Sequence, residues 1–193
     1  MQLIFVTTMA KISTFFALIA LITSVSALPS SQSVDVEPAE LIKSRAADDS
    51  WMNSVISSHN TNRAAYGASA VTWNANLYPG ALSWAQACKF QHSGGNYGEN
   101  LYAASGSSNI MADGMKAWMS EASKYDYNNP GFSSATGHFT QVVWKATTQV
   151  ACASANCPAG TIFPTLPATY LVCRYSPPGN VMGQFRQNVG RHV

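Results

Sequence analysis

The sequence predicts an α+β domain in which helices come first and β-strands follow. Trp51, Val55, His59 and Arg63 follow one another at i, i+4 spacing, and apolar side chains recur near the helical period between residues 108 and 123. The last third of the chain changes to short β-like runs at 149–153 and 169–175, ended by Pro177-Pro178-Gly179. Because helices and strands do not alternate, the pattern favours a layered α+β fold over a parallel α/β sheet.

The first predicted helix begins at Asp49 or Ser50, since either side chain can cap a helix N-terminus, and it ends at Gly67. A second helix is predicted around residues 74–88, where Pro79 falls in the first turn and is tolerated there. The second segment presents Leu77, Ala81, Trp84 and Cys88 on one face, which indicates a helix that packs against a core.

Two loops flank the third predicted helix, which covers residues 108–123. The first, at 91–98, contains three glycines, and the second, at 128–137, is rich in Asn, Gly, Ser and Pro. No internal repeat is visible, which excludes solenoid and propeller architectures.

The N-terminus has the parts of a secretory signal peptide. An apolar run at 12–25 follows Lys11 and is shorter than the about 20 apolar residues that a membrane-spanning helix needs. We therefore predict a signal peptide over residues 1–27, a flexible segment over 28–47 and one folded domain over 48–193. The mature protein is expected to be secreted, extracellular and without a transmembrane anchor.

Composition limits the classes of function. Eleven Lys and Arg against nine Asp and Glu give a net charge of +2, and only 10% of the residues are charged, against about 25% in a typical domain. A nucleic-acid-binding protein would show a basic patch or stripe, which this thin distribution lacks. The 47% hydrophobic content excludes an acidic disordered chain.

Secretion makes the four cysteines candidates for two disulfide bonds. Four cysteines allow three pairings, and their spacing does not choose among them. Zinc binding by the cysteines is disfavoured, because none of them forms a C-x2-C pair. The four residues are Cys88, Cys152, Cys157 and Cys173.

Histidines and carboxylates flank the two loops. His92 and Glu99 bracket the first loop, and His138 follows the second. Such side chains suit a divalent ion such as zinc, although no H-E-x-x-H spacing supports it and a structural role is the alternative. No G-x-S-x-G elbow is present, and paired cysteines leave no thiolate. No catalytic residue is therefore predicted.

Three aromatic residues lie within eight positions around the second loop: Tyr125, Tyr127 and Phe132. Rings on an irregular loop can form an apolar slot for a lipid, since small apolar ligands bind in concave and mostly apolar sites. The alternative is that these rings pack onto the core and anchor the loop.

Four motifs, in order, resemble those of the CAP superfamily of cysteine-rich secretory, antigen 5 and pathogenesis-related-1 (PR-1) proteins. They are GHFTQVVWKAT at 137–147, YLVCRYSPPGNV at 170–181, HN-x-x-R at 59–63 and GENLY at 98–102. The loop before His138 is most similar to that of secreted fungal PR-1-type proteins that bind and export sterols. The resemblance implies an α-β-α sandwich with a small antiparallel sheet between helical layers.

The resemblance also implies a cleft with four polar side chains, here called the tetrad: His92, Glu99, Glu121 and His138. In the family the two histidines are the usual zinc contacts. A divalent metal is therefore expected as a cofactor that lipid binding does not require. A hydrogen-bonded structural hub is the competing interpretation.

Residues 125–132, here called the aromatic loop, correspond to the ligand loop of the sterol-binding relatives. On that basis the sterol-contacting residues are Tyr125, Tyr127, Pro130, Gly131 and Phe132. Plant members have two further cysteines in this region, which this chain lacks, so the loop should be less constrained. In the plant members those two cysteines bond to each other. By the same family pattern, the four that remain here are expected to pair as Cys88–Cys152 and Cys157–Cys173.

The function implied is a secreted protein that binds and exports or sequesters sterols, with fatty acids as a further ligand class. One alternative is an extracellular effector with a divalent-metal cleft that contacts a host or cell-wall component. The other is a metal-dependent hydrolase, against which no nucleophile or positioned general base can be named.

Overall fold

A four-stranded mixed sheet lies at the centre of the structure, in the order β1-β3-β4-β2. The computed structural model describes the backbone of residues 38–193 and the side chains of residues 48–193, so the predicted signal peptide lies outside the described residues. The strands are β1 (Thr72–Trp73), β2 (Gly98–Ala104), β3 (Gln149–Cys157) and β4 (Ala168–Ser176). β4 pairs antiparallel with β2 and β3, as expected, but the two-residue β1 adds to β3 in parallel.

Helices cover both faces of the sheet. The first helix begins earlier than the Asp49 or Ser50 predicted, because residues 38–47 place a proline in the first turn and continue with good helix formers. Pro79 does lie in the first turn of the second helix, and the Asn109 side chain caps the third by accepting a bond from the amide of Ala112. The helices are α1 (Pro38–Ala64), α2 (Tyr78–Gln86), α3 (Ile110–Ser120), α4 (Gly137–Val142) and α5 (Phe185–Asn188).

Alternate residues of β4 enter two separate cores, one on each face of the sheet. Leu171, Cys173 and Tyr175 pack against the core that contains the α1, α3 and α4 side chains. Tyr170 and Val172 point the other way, into the core beneath α2. Successive side chains of a strand point to opposite faces, so burial of both faces confirms the predicted α-β-α sandwich.

The predicted disulfide pairing is wrong. The structure joins Cys152 to Cys173 and Cys88 to Cys157. Cys152 and Cys173 are directly opposite each other in the β3–β4 ladder, with Cα atoms 4.0 Å apart. Cys157 lies farther along β3, opposite Ala168, and is reached instead by Cys88, which follows α2. Register therefore selects the pairing that spacing could not, while the prediction that all four cysteines are bonded is confirmed.

A buried arginine ties α1 to the segment after α4. The Arg63 side chain is 1% exposed and donates to backbone carbonyl groups rather than to a carboxylate. Burial lowers the pKa of Arg63 to about 10, so the guanidinium keeps its charge at neutral pH. Its acceptors are the carbonyl oxygens of Ser69, Val142, Trp144 and Thr147, at 2.8–2.9 Å.

None of the helices in the described part of the chain combines the length and the apolar character that a membrane span requires.

Candidate functional site

The first half of the tetrad forms at the start of α4. Glu121 follows α3 directly, and its carboxylate accepts bonds from the backbone amides of His138, at 3.0 Å, and Phe139, at 3.1 Å. The other carboxylate oxygen lies 2.7 Å from His138 Nδ1. Trp118 stacks beside the imidazole at an interplanar angle of 17°. Glu121 thus fixes both the helix start and the orientation of the His138 ring.

The second half of the tetrad forms across the loop at 91–98, here called the glycine-rich loop. Glu99 lies on β2 with its side chain 5% exposed, and one of its oxygens is 3.1 Å from His92 Nδ1. The same carboxylate accepts bonds from the backbone amide and the hydroxyl of Ser93 and lies 3.4 Å from Arg174 Nε. Arg174 is held in turn over the Tyr97 ring, 4.2 Å from its centroid.

Both histidines therefore use Nδ1 to donate to a carboxylate, which leaves Nε2 as the atom that could bind a metal. A histidine that ligates a metal commonly donates its other nitrogen to a carboxylate in this way. The side chains of His92 and His138 are 65% and 33% exposed, so solvent reaches them. Both carboxylates are already occupied by hydrogen bonds. Imidazole nitrogens are among the donors that divalent ions such as zinc bind.

Another group of potential metal ligands lies outside the tetrad. Within residues 48–193, the ligand atoms of His59, Cys152 and Cys173 all lie within 4.8 Å of one another. Both sulfur atoms belong to a disulfide bond, so neither is a thiolate that could bind a metal. This group is a packing cluster and not a metal site.

The predicted aromatic loop divides into anchored rings and an exposed ring. Tyr125 is buried and packs edge-on against Tyr127 and Phe139, at centroid distances of 4.8 and 5.8 Å. The Tyr127 hydroxyl donates to the Gly190 carbonyl at 3.0 Å, and burial raises the pKa of both phenols. Packing thus accounts for two of the three rings that were predicted to contact a ligand.

Phe132 differs from these two rings because it is 55% exposed. It lines a cavity of about 400 Å³ together with His92, Glu99 and His138. Pro130 lies instead on a separate cleft of about 270 Å³, with Tyr127. The structure therefore brings Phe132 and three members of the tetrad to one cavity, two features that the sequence had placed in separate sites.

The sequence profile of the CAP family, described as the Cysteine-rich secretory protein family, matches residues 56–175. That stretch contains the glycine-rich loop, the aromatic loop and the whole tetrad. The chain belongs to the CAP family. CAP proteins are generally non-enzymatic.

Curated fungal proteins are similar to this CAP chain. Protein PRY2 of Saccharomyces cerevisiae is 39% identical over 144 residues, which cover 72% of the chain and 41% of PRY2. Secreted protein RBT4 of Candida albicans is 41% identical over 147 residues, covering 70% of the chain and 37% of RBT4. The matched region thus spans less than half the length of either relative.

Solved structures share the fold. The crystal structure of NaASP2 with Zn²⁺ superposes with a TM-score of 0.58 at 23% identity. The superposition covers 72% of this chain and 86% of NaASP2. At this identity the likeness establishes the CAP fold and nothing about the site.

Two asparagines that the sequence analysis did not select complete the cavity. Asn100 donates from Nδ2 to the His138 carbonyl at 3.0 Å. Asn180 donates to the Gly137 carbonyl at 2.9 Å and accepts a bond from the Thr140 hydroxyl. Both residues lie inside CAP motifs, where Asn100 directly follows Glu99 and Asn180 directly follows Gly179. Their motif positions were the available signal, but their amides bind backbone carbonyl groups, which no spacing rule predicts.

Proposed function

We propose that this CAP protein is secreted and binds sterol through the exposed tip of its aromatic loop. The observation that carries the proposal is the exposure of Phe132 at the rim of a cavity of about 400 Å³. Ligand cavities for small molecules commonly have volumes of about 300–1,000 Å³. A large apolar ring left in water at such a rim favours an apolar ligand.

The rest of the loop holds Phe132 in a defined position. Tyr125 and Tyr127 pack against the core, and the Tyr127 hydroxyl binds the backbone near the C-terminus. The loop is thus tethered before its tip, so less conformational entropy is lost when the ligand binds.

Further apolar side chains lie exposed along the chain next to the cavity. Val181 and Met182 directly follow Asn180, a lining residue, and are 38% and 74% exposed. Sterol affinity would come mainly from the apolar area removed from water, about 25 cal/mol per Å². The polar imidazoles and carboxylates offer little to a sterol body, so the ligand is expected to lie against the rim.

Secretion is supported by three features. The apolar run at 12–25 has the length of the hydrophobic region of a signal peptide. All four cysteines are in disulfide bonds, which persist in oxidising compartments. One similar protein also bears the name Secreted protein RBT4.

The test compares two phenylalanines of equal exposure. Phe132 and Phe90 are both 55% exposed, but Phe90 lies against Tyr170, away from the cavity rim. Labelled cholesterol and ergosterol should bind the Phe132→Ala variant about five- to 150-fold more weakly, since part of one ring contributes on the order of 1–3 kcal/mol. The Phe90→Ala variant should bind like the wild type, and both should melt at nearly the wild-type temperature.

Palmitate, tested beside the sterols, defines the ligand class. Equal sterol binding by Phe132→Ala and the wild type, or no binding by the wild type, would refute the proposal. The second outcome would favour an extracellular protein that contacts a host or cell-wall component.

We further propose that His92 and His138 bind a divalent ion through their Nε2 atoms and that sterol binding does not need it. An ion bound there would supply positive charge beside the rim. Sterol titrations with zinc and with EDTA should therefore give the same affinity within about twofold, because the apolar contact carries the binding.

A further inference from the structure

A second cavity, of about 190 Å³, lies where α1, β1 and α2 meet. It shares no lining residue with the cavity beside the tetrad. Its walls combine three aromatic rings and one thioether with two carboxylates. The lining residues are Asp48, Asp49, Trp51, Met52, Trp73 and Tyr78.

The aromatic walls are held in place by the sheet. The Trp51 indole donates to the Cys152 carbonyl at 2.7 Å, which fixes its ring against β3. Trp73 belongs to β1 and pairs with Val150 of β3. Its ring lies 5.5 Å from that of Tyr78, tilted by 46°. Rings from three elements thus surround the cavity without depending on a loop.

The rim of the cavity carries two carboxylates, those of Asp48 and Asp49. Asp48 precedes Trp51 by three residues and Met52 by four, so all three share one face of α1. Both carboxylates are exposed. Among the side chains that the structure describes, no Lys, Arg or His lies within salt-bridge distance of Asp48 or Asp49. The cavity is therefore an aromatic cage with two exposed carboxylates at its rim.

We propose that this cage binds a small organic cation of the quaternary ammonium class, such as choline. The face of an aromatic ring is electronegative and attracts a cation within about 6 Å of its centroid, most strongly for Trp. The ring faces attract a cation through their π-electrons and not through lone pairs, so they suit a quaternary ammonium better than a metal ion. The two carboxylates complement the same charge, and a volume of about 190 Å³ suits a trimethylammonium group with a short chain.

The direct test uses choline chloride and its uncharged isostere 3,3-dimethylbutan-1-ol, at constant ionic strength. Both ligands have the same shape, so only the charge differs. Saturation-transfer NMR together with shifts of the tryptophan indole signals should give a Kd on the order of 1 mM for choline. The isostere should bind about tenfold more weakly, because cation–π and ionic attraction are both lost.

Matched variants locate the binding. The Trp73→Leu variant and the Asp48→Asn/Asp49→Asn variant should each bind choline about three- to tenfold more weakly. The Trp84→Leu and Asp113→Asn/Asp126→Asn variants make the same chemical changes away from this cage and should bind like the wild type. If Trp73→Leu does not fold, the exposed aspartate pair decides the result.

Three results would overturn the proposal. They are the absence of choline binding up to about 50 mM, far above the expected Kd, equal affinity for choline and its isostere, and wild-type affinity in the Asp48→Asn/Asp49→Asn variant. Each can occur whether or not Phe132 binds sterol, so the two proposals fail independently.

Discussion

The ring of Phe132 lies over Gly137, the residue directly before His138. A Cβ atom added at Gly137 would come within 3.0 Å of Phe132 Cε2 and 3.9 Å of Asn180 Nδ2. The tip of the aromatic loop therefore rests on the same helix start whose amides bind Glu121. Any ligand at the rim contacts a surface whose shape depends on this glycine.

We predict that Gly137→Ala displaces the Phe132 ring and weakens sterol binding about three- to tenfold, as a partial loss of its buried area would. The clash involves the far end of an exposed side chain, so the melting temperature should change little. Gly131 was expected to contact sterol, but it does not line the cavity beside the tetrad and a Cβ there meets nothing within 4 Å, so Gly131→Ala is the matched control. Cholesterol titrations of both variants test this. Equal affinity in the two would show that the ring position does not matter.

The two tyrosines of the loop differ in one hydrogen bond, and we predict opposite effects of removing their hydroxyls. Among the described residues the buried Tyr125 hydroxyl has no hydrogen-bond partner, whereas that of Tyr127 donates to the Gly190 carbonyl. Tyr125→Phe should leave the free energy of unfolding unchanged or raise it by up to about 1 kcal/mol, since an unpaired buried hydroxyl is costly. Tyr127→Phe should lower it by about 1 kcal/mol.

Urea unfolding of both variants measures these changes. Neither variant should alter sterol affinity more than about twofold, because each keeps its ring and only the Tyr127 hydroxyl had a bond to lose. A loss of stability in Tyr125→Phe as large as that in Tyr127→Phe would contradict the assignment of the bond.

The first three helices and the two long strands β3 and β4 were predictable in outline because they depend on local periodicity, whereas the sandwich was expected from the resemblance to the CAP superfamily. The disulfide pairing was not predictable, because it depends on the register of β3 against β4. Cys152 and Cys173 face each other only once those strands are aligned. Spacing along the chain carries no information about that alignment, and a one-residue slip would turn each side chain to the other face.

The candidate site was predictable only in part, because contacts between its side chains depend on the fold and not on spacing along the chain alone. Motif positions indicated the tetrad, but not that each glutamate would orient one histidine through Nδ1. Nor could the sequence separate Phe132 from Tyr125, since both are aromatic residues of one loop. Burial separates them: Tyr125 is 8% exposed and Phe132 is 55% exposed. That difference arises from packing against Phe139, which lies outside the loop.

For the metal site, we predict that zinc binds the wild type and that His138→Ala weakens it strongly. Glu121→Gln should weaken zinc binding about 10- to 100-fold, because it removes the carboxylate that orients the imidazole. His192→Ala is the matched control, since His192 lines a different cleft, beside Tyr66. Calorimetric titrations of zinc into each variant provide the measurement. Identical isotherms for wild type and His138→Ala would leave the tetrad with a structural role alone.

The pH dependence of stability should depend strongly on His59. This ring is fully buried, where Nδ1 donates to the Val55 carbonyl at 2.8 Å and Nε2 accepts from the Tyr175 hydroxyl at 3.0 Å. Burial, with a smaller contribution from the charge of Arg63, lowers the pKa of His59 from 6.5 to about 4, although the Val55 carbonyl opposes the shift. The folded protein therefore keeps this imidazole neutral at pH values where the unfolded chain protonates it.

Above pH 6.5 the His59 ring is neutral in both states and its stabilising effect is complete. As the pH falls from 6.5 towards 4, only the unfolded chain takes up the proton, so the free energy of unfolding should fall by up to about 3 kcal/mol. His59→Gln cannot titrate, so its stability should fall by about 3 kcal/mol less over this range, whatever its value at pH 7. His192→Gln, at an exposed position, should keep the wild-type slope. Urea unfolding at intervals between pH 7 and pH 4 tests this, and a wild-type slope in His59→Gln would show that His59 is not the group responsible.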